Sequence, residues 1–232
     1  MKRFYSDAAV VPADEGYAVV LDGRPVKTPG QRPVAAPTRA LAEAVAEEWQ
    51  AQGETLDPAA MPLARSLNSA IDTSDEQRAA VVTSLSRYAE TDLLCYRAAG
   101  QPDLAERQRY LWQPYLDWAA ERFAARFALA EGVMPVVQPQ ATVDALAAAV
   151  ARFDRFRLTG VHLAAGVTGS VVLALALEAR FASAEQVWTA ASLDEAFQAE
   201  LWGEDSEAAE RRAGIAAEVR AADRFLSLLD AG

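Results

Sequence analysis

The chain has 232 residues, with 22 Lys and Arg against 33 Asp and Glu, a formal net charge of −11 and a pI near 4.6. That balance repels phosphate backbones and anionic lipid surfaces, which argues against nucleic acid and membrane-surface partners. Apolar residues make up 52% and charged residues 24%, as in globular proteins, while a single cysteine (Cys95) and a single histidine (His162) exclude an intramolecular disulfide and a Cys/His zinc site and fit a reducing compartment.

Met1 to Asp7 carries Lys2 and Arg3 but no apolar run of signal-peptide length. Asp7, Asp14 and Glu15 follow too early for a secretory signal or a mitochondrial presequence. Seven of the eleven prolines lie at or before Pro62, a density that favours short strands and turns over long helices. Phe4 to Val11 reads as one strand and Tyr17 to Leu21 as another. Asp22-Gly23 is the hairpin signal, and Arg24 to Thr28 is the return strand, with Pro25 marking an edge.

The period changes after Thr38. Leu41, Val45 and Trp49 recur on one helical face, Thr38 suits the N-cap, and Gly53 sits where helices stop. Beyond Pro62 helical spacing predicts helices near 63–72, 76–95, 103–129, 142–156, 160–180, 184–190 and 193–229, the last broken near Gly203. The expected fold class is α+β: a small antiparallel β-containing N-terminal domain with one helix, residues 1–70, followed by a larger all-helical domain, residues 71–232. Leu158 to Leu177 is free of formal charge and long enough to span a bilayer. Its glycines, threonines and histidine dilute its hydropathy, and Arg155, Arg157, Glu178 and Arg180 flank it closely. A central core helix is expected there, and no integral membrane protein.

The chemical inventory is sparse. Gly166-Val167-Thr168-Gly169-Ser170 lacks the lysine of a phosphate loop, and Gly160, Gly166 and Gly169 read as small residues that let helices approach closely. His162 has no carboxylate at helical spacing, Cys95 reads as a small buried apolar residue, and no nucleophile elbow is present. Tyr110, Trp112, Tyr115 and Trp118 read as core packing around Pro114. From Asp194 to Glu210 there are seven acids and no Lys or Arg; Leu193, Phe197, Leu201 and Trp202 can form a buried stripe beneath them. That acidic face is either plain solvated surface or a patch that steers a basic partner.

Several segments together resemble one family. They are Arg3-Phe4-Tyr5, Leu21-Asp22-Gly23-Arg24-Pro25-Val26-Lys27-Thr28-Pro29, Glu48-Trp49, Met61-Pro62-Leu63 and Asn68-Ser69-Ala70-Ile71-Asp72. Later ones are Tyr88 with Thr91-Asp92-Leu93, Tyr96-Arg97, Gln108, Trp112, Pro114, Trp118, Thr168-Gly169-Ser170, and Trp202-Gly203 with Asp205 and Glu207. In this order and spacing the chain resembles the ATP synthase assembly chaperones of the mitochondrial assembly factor 2 type. The resemblance implies a non-enzymatic assembly factor, with no catalytic residue, metal or cofactor. Such a factor binds the unassembled alpha subunit of the catalytic head and prevents its aggregation until the beta subunit replaces it. It implies a monomer working in a bacterial cytoplasm, where eukaryotic relatives work in the mitochondrial matrix. Glu207, Asp205, Glu204 and Trp202 are the expected partner-binding residues; Trp49, Glu48, Asp22, Gly23 and Arg24 are the expected structural signature. The alternatives are a small carboxylate-dependent hydrolase or transferase, or a helical scaffold for another client.

Overall fold

A computed structural model of the chain describes residues 1–132, 134–203 and 205–231. It is α+β, with a small antiparallel sheet at the N-terminus and helices thereafter. Strand β1 (Ala8–Ala13) pairs antiparallel with β2 (Gly16–Leu21), which pairs with both β3 (Arg24–Pro25) and β4 (Ala35–Ala36). Asp22 and Gly23 form the two-residue turn between β2 and β3, with φ of 47° and 76°, the twist that suits a tight hairpin. The return strand is shorter than the residue types suggest. Only Arg24 and Pro25 pair with β2, and the chain then turns so that Lys27 bridges Pro33.

Helix α1 (Arg39–Gln50) starts at Thr38, whose hydroxyl accepts from the Leu41 amide and donates to the carbonyl of Leu228 at 2.7 Å. One side chain therefore caps the first helix and ties it to the far end of the chain. Leu41 and Val45 face a core shared with β2 and with α2 (Pro62–Asp72), and Phe225 from the C-terminal helix completes that core.

The remaining helices are α3 (Asp75–Glu90), α4 (Pro102–Phe123), α5 (Gln140–Val150), α6 (Arg155–Thr168), α7 (Val171–Glu178), α8 (Ala184–Ala191), α9 (Leu193–Trp202) and α10 (Ser206–Leu229). A second small sheet pairs β5 (Tyr96–Arg97) in parallel with β6 (Ala130–Glu131). Several boundaries differ from the expected ones. The helix expected over 76–95 stops at Glu90, and that over 103–129 stops at Phe123, where Ala124 turns left-handed with φ 58°. The 142–156 helix ends at Val150, because Asp154 caps a new one through the amides of Phe156 and Arg157.

The uncharged run Leu158–Leu177 is two helices. Gly169, at φ +68°, ends α6 in a conformation that costs a side chain dearly, and the Ser170 hydroxyl then caps α7. From Val171 to Leu177 every residue of α7 is buried, so it is the central strut of the larger core. Among the described residues no helix is long and apolar enough to cross a membrane. Gly160 accounts for the close approach of α6 to α10: a Cβ there would stand 2.6 Å from Leu226 Cδ2. Both cores take residues from α10, Val219, Ala222 and Leu226 in one and Phe225 in the other. Arg157 and Arg180 both pair with Asp230 and fix the end of that helix.

Candidate partner-binding surface

The acidic stretch forms a corner between α9 and α10. Leu193 and Phe197 anchor α9 in the larger core. Leu201 and Trp202, expected to continue that stripe, are 55% and 83% exposed, because the last turn of α9 extends past the edge of the core. Gly203 (φ 82°) then turns the chain, and Asp205 caps α10 by accepting from the Ala208 amide at 2.7 Å. Glu204 lies outside the described residues.

The acids of this corner are not equivalent. Asp194 is half-buried; burial raises its carboxyl pKa, against the 2.8 Å hydrogen bond from Gln108 Nε2 that lowers it. Glu200 pairs with Arg107 at 2.7 Å, clamping α9 to α4. Asp205 is engaged in the cap. Glu195, Glu207 and Glu210 project to solvent without an ion pair among the described residues. A groove of about 390 Å³ separates α9 from α10, lined among others by Asp194, Glu195, Trp202, Asp205 and Arg211. The groove sets an uncovered indole among carboxylates and Arg211, with Glu207 and Glu210 on the adjoining helix.

The other expected residues lie in the N-terminal unit. The Glu48 carboxylate accepts from the amides of Leu63 at 2.9 Å and Ala64 at 2.8 Å, capping α2, which has no side-chain cap of its own. Burial pushes the Glu48 carboxyl pKa up, and those two hydrogen bonds pull it back. Trp49 is half-buried against the smaller core, edge-on to Tyr5 with ring centroids 5.7 Å apart, and its carbonyl accepts from the Tyr5 hydroxyl at 2.6 Å. Asp22 accepts from the amides of Ser6 and Asp7, at 3.1 and 2.9 Å, tying the N-terminal segment to the hairpin. Gly23 completes the turn, and Arg24 is exposed. The structure does not bring these residues to the acidic corner. Phe225, which packs with the N-terminal unit, is 18 residues along α10 from Glu207, about 27 Å at 1.5 Å per residue.

Trp112 and Tyr115 are buried and Trp118 is half-buried, but Tyr110 is 79% exposed, so the expected aromatic core lacks one member. Tyr110 instead borders a groove of about 500 Å³ with Phe181 and Pro114. Cys95 is buried, and desolvation pushes its thiol pKa far up, which makes it inert. Among the described residues no group of three or more His, Cys, Asp or Glu is placed to hold a metal.

One buried polar site has no counterpart in the expected residues. Asp92 is fully buried and accepts from the Ser170 hydroxyl at 2.9 Å, the Leu94 amide at 3.1 Å and the Val172 amide at 3.2 Å. Burial pushes its carboxyl pKa up to about 6 against those hydrogen bonds. The signal in the sequence was a pair of short polar motifs, Thr91-Asp92-Leu93 and Thr168-Gly169-Ser170, whose meeting is visible only in the fold.

The ATP12 chaperone protein family model matches residues 2–120. Over its length the chain is similar to Atp12 from Paracoccus denitrificans, with 42% identity, a TM-score of 0.92 and 98% of each chain covered. It is equally similar to a candidate chaperone from Agrobacterium tumefaciens, with 43% identity and a TM-score of 0.92, covering 98% of this chain and 86% of that one. The chain belongs to the ATP12 chaperone family.

Proposed function

We propose that the protein is a non-enzymatic ATP synthase assembly chaperone that holds the unassembled alpha subunit of the catalytic head until the beta subunit replaces it. Membership of a chaperone family, by a family model over residues 2–120 and likeness to a solved Atp12 over 98% of the chain, carries the reading. The physical need is plain. A subunit destined for a ring exposes apolar interface surface before assembly, and such a patch aggregates unless covered. Covering it requires complementary surface and no turnover. The corner at Trp202, with an 83% exposed indole and the unpaired carboxylates of Glu207 and Glu210, supplies surface of that kind. Trp202, Asp205, Glu207 and, by sequence position, Glu204 are the partner-binding set, and Trp49, Glu48, Asp22 and Gly23 of the N-terminal signature hold the fold, while Arg24 stands exposed. The protein acts as a monomer in the bacterial cytoplasm, without cofactor or metal.

The test is co-expression with the alpha subunit followed by size-exclusion chromatography. A one-to-one complex that keeps the subunit soluble and is displaced by the beta subunit is the expected result. An alpha subunit that aggregates equally with and without the protein refutes it.

A further inference from the structure

The N-terminal unit carries a second surface, opposite in sign to the acidic corner. A groove of about 680 Å³ lies between the N-terminal segment, the β2–β3 hairpin and the end of α1, lined among others by Phe4, Tyr5, Arg24, Lys27 and Trp49. That volume is within the range of small-ligand and side-chain pockets. One wall is aromatic: Phe4 meets Tyr5 edge-on at 5.4 Å, and Tyr5 meets Trp49 in the same way at 5.7 Å. Phe4 is 65% exposed and Trp49 half-buried, whereas Tyr5 is 6% exposed, so Phe4 and the open edge of Trp49 are the accessible part of the wall and Tyr5 backs them.

The charge around it is positive, opposite to the net charge of the chain. Arg24 and Lys27 are exposed on the opposite lip and make no ion pair among the described residues. Arg3 sits over the Tyr5 ring at 4.7 Å, and its guanidinium donates to the carbonyls of Tyr5, Ser6, Gln50 and Gln52. Carbonyls orient it without cancelling its charge. Asp22 also lines the groove; the amides of Ser6 and Asp7 orient its carboxylate without cancelling its charge, so it offsets one of the three cations. A protein of net charge −11 therefore presents here Arg3, Arg24 and Lys27 against the single carboxylate of Asp22, a local excess of positive charge.

We propose that this groove binds a short acidic segment of the client, seating one aromatic or branched apolar side chain against Phe4 and the exposed edge of Trp49 and placing its carboxylates between Arg24 and Lys27. Charge complementarity selects that occupant: beside an aromatic wall, Arg24, Lys27 and the neighbouring Arg3 attract a segment that carries carboxylates. An aromatic floor with a charged rim is the composition of an interface anchor. The proposal rests on the chaperone reading for the identity of the occupant, and the acidic corner and this groove would then hold the client at two separated points.

The test uses the full chain and a fluorescein-labelled twelve-residue peptide of alternating Glu and Leu with one central Phe. A copy with Gln in place of Glu is the control. Wild type is expected to raise the anisotropy of the acidic peptide only, with affinity that falls as salt is raised. R24E combined with K27E, two exposed positions, is expected to melt like wild type and bind about tenfold or more weakly. Equal binding of both peptides, or unchanged binding by the double variant, overturns the proposal. The same variant is then assayed for protection of the alpha subunit. Full protection by it overturns the assignment to the client, whereas failure of wild type to protect overturns the chaperone reading and leaves the peptide result standing. Sedimentation covers the remaining occupant: an oligomer of wild type that the double variant dissociates would mean that the groove takes a second copy, and would also overturn the proposal.

Discussion

The Asp92 carboxylate accepts a 2.9 Å hydrogen bond from the hydroxyl of Ser170, 78 residues further along the chain. Backbone amides surround it, among them Leu94 in a short 3-10 turn and Val172 in the first turn of α7. The same Ser170 hydroxyl accepts from the Leu173 amide, so a single pair of side chains joins the loop after α3 to the start of the central helix.

This pair sets a pH dependence. Burial raises the Asp92 carboxyl pKa from 3.8 to about 6 in the folded protein. Between those values the native state binds more protons than the unfolded chain, so the Asp92 contribution is fully present below about pH 4 and is lost as pH rises through about 6. Integrated from pH 7.5 down to 4.5, this amounts to about 2 kcal/mol in favour of the folded state. In Asp92→Asn the titration is gone and one amide or hydroxyl partner is left facing an N–H. Urea melts should therefore show the stability advantage of wild type over Asp92→Asn growing by about 2 kcal/mol from pH 7.5 to 4.5. A gap that does not change with pH refutes the assignment.

Glu48 performs the corresponding task in the smaller core. Its two carboxylate oxygens accept from the Leu63 and Ala64 amides, donors that α2 leaves unmet at its own N-terminus. Glu48→Ala should lose about 2 kcal/mol, the worth of a cap made by a charged group, and Glu48→Gln, which keeps one acceptor oxygen, should lose less. Equal melting temperatures for wild type and Glu48→Ala would show that water replaces the carboxylate at no cost.

Trp49, beside it, is half-buried, so truncation should cost less than the about 3–5 kcal/mol of a fully buried tryptophan. Trp49→Arg should lower the melting temperature further than Trp49→Ala, because it sets a guanidinium against Tyr5 near the existing cation of Arg3. A Trp49→Arg protein that melts with wild type would remove Trp49 from the architecture of the N-terminal unit.

Local chemistry was legible in the chain where a residue acts on its near neighbours. Asp22-Gly23 announces its turn, Thr38 its cap, and Leu41 with Val45 the buried face of α1. Tyr110 was legible too, in hindsight: two residues from Trp112 it must point to nearly the opposite side of α4, while Trp112, Tyr115 and Ala119 share the buried face. The division of Leu158–Leu177 was not, because a single Gly169 in an apolar run is tolerated in a helix and becomes a stop only when Ser170 finds Asp92. The exposure of Leu201 was hidden for a different reason. Its spacing from Leu193 and Phe197 is helical, but where the core ends is a property of the packed molecule and not of α9. Likewise nothing in the order of the acids separates Glu200, paired with Arg107, from Glu207, which is unpaired.

That last difference gives the sharpest experiment on the acidic corner. Asp205 and Glu207 are two residues apart, yet the geometry assigns them different work. Asp205 caps α10, so Asp205→Ala should cost about 1 kcal/mol of stability whatever its effect on a partner, and Asp205→Asn, which keeps an acceptor for the Ala208 amide, should restore most of it. Glu207 stands exposed in the first turn of α10, where a carboxylate gains at most about 0.3–1 kcal/mol from the helix dipole, so Glu207→Lys should move the melting temperature little. Its effect should appear in binding. Reversing a charge that meets a basic group on a partner loses the pair and adds repulsion, a loss of about 2–5 kcal/mol of affinity where the pair is buried. Glu210→Lys, one turn further along the helix, should weaken binding less, and Trp202→Ala should weaken it without unfolding, since its indole covers nothing in the free protein. The measurement is a thermal melt of each variant beside an assay of alpha-subunit aggregation. Loss of protection by Glu207→Lys and Trp202→Ala at unchanged stability would establish the corner as a binding surface. Wild-type protection by both would return the acidic stretch to ordinary solvated helix, and the client would have to be held elsewhere on the molecule.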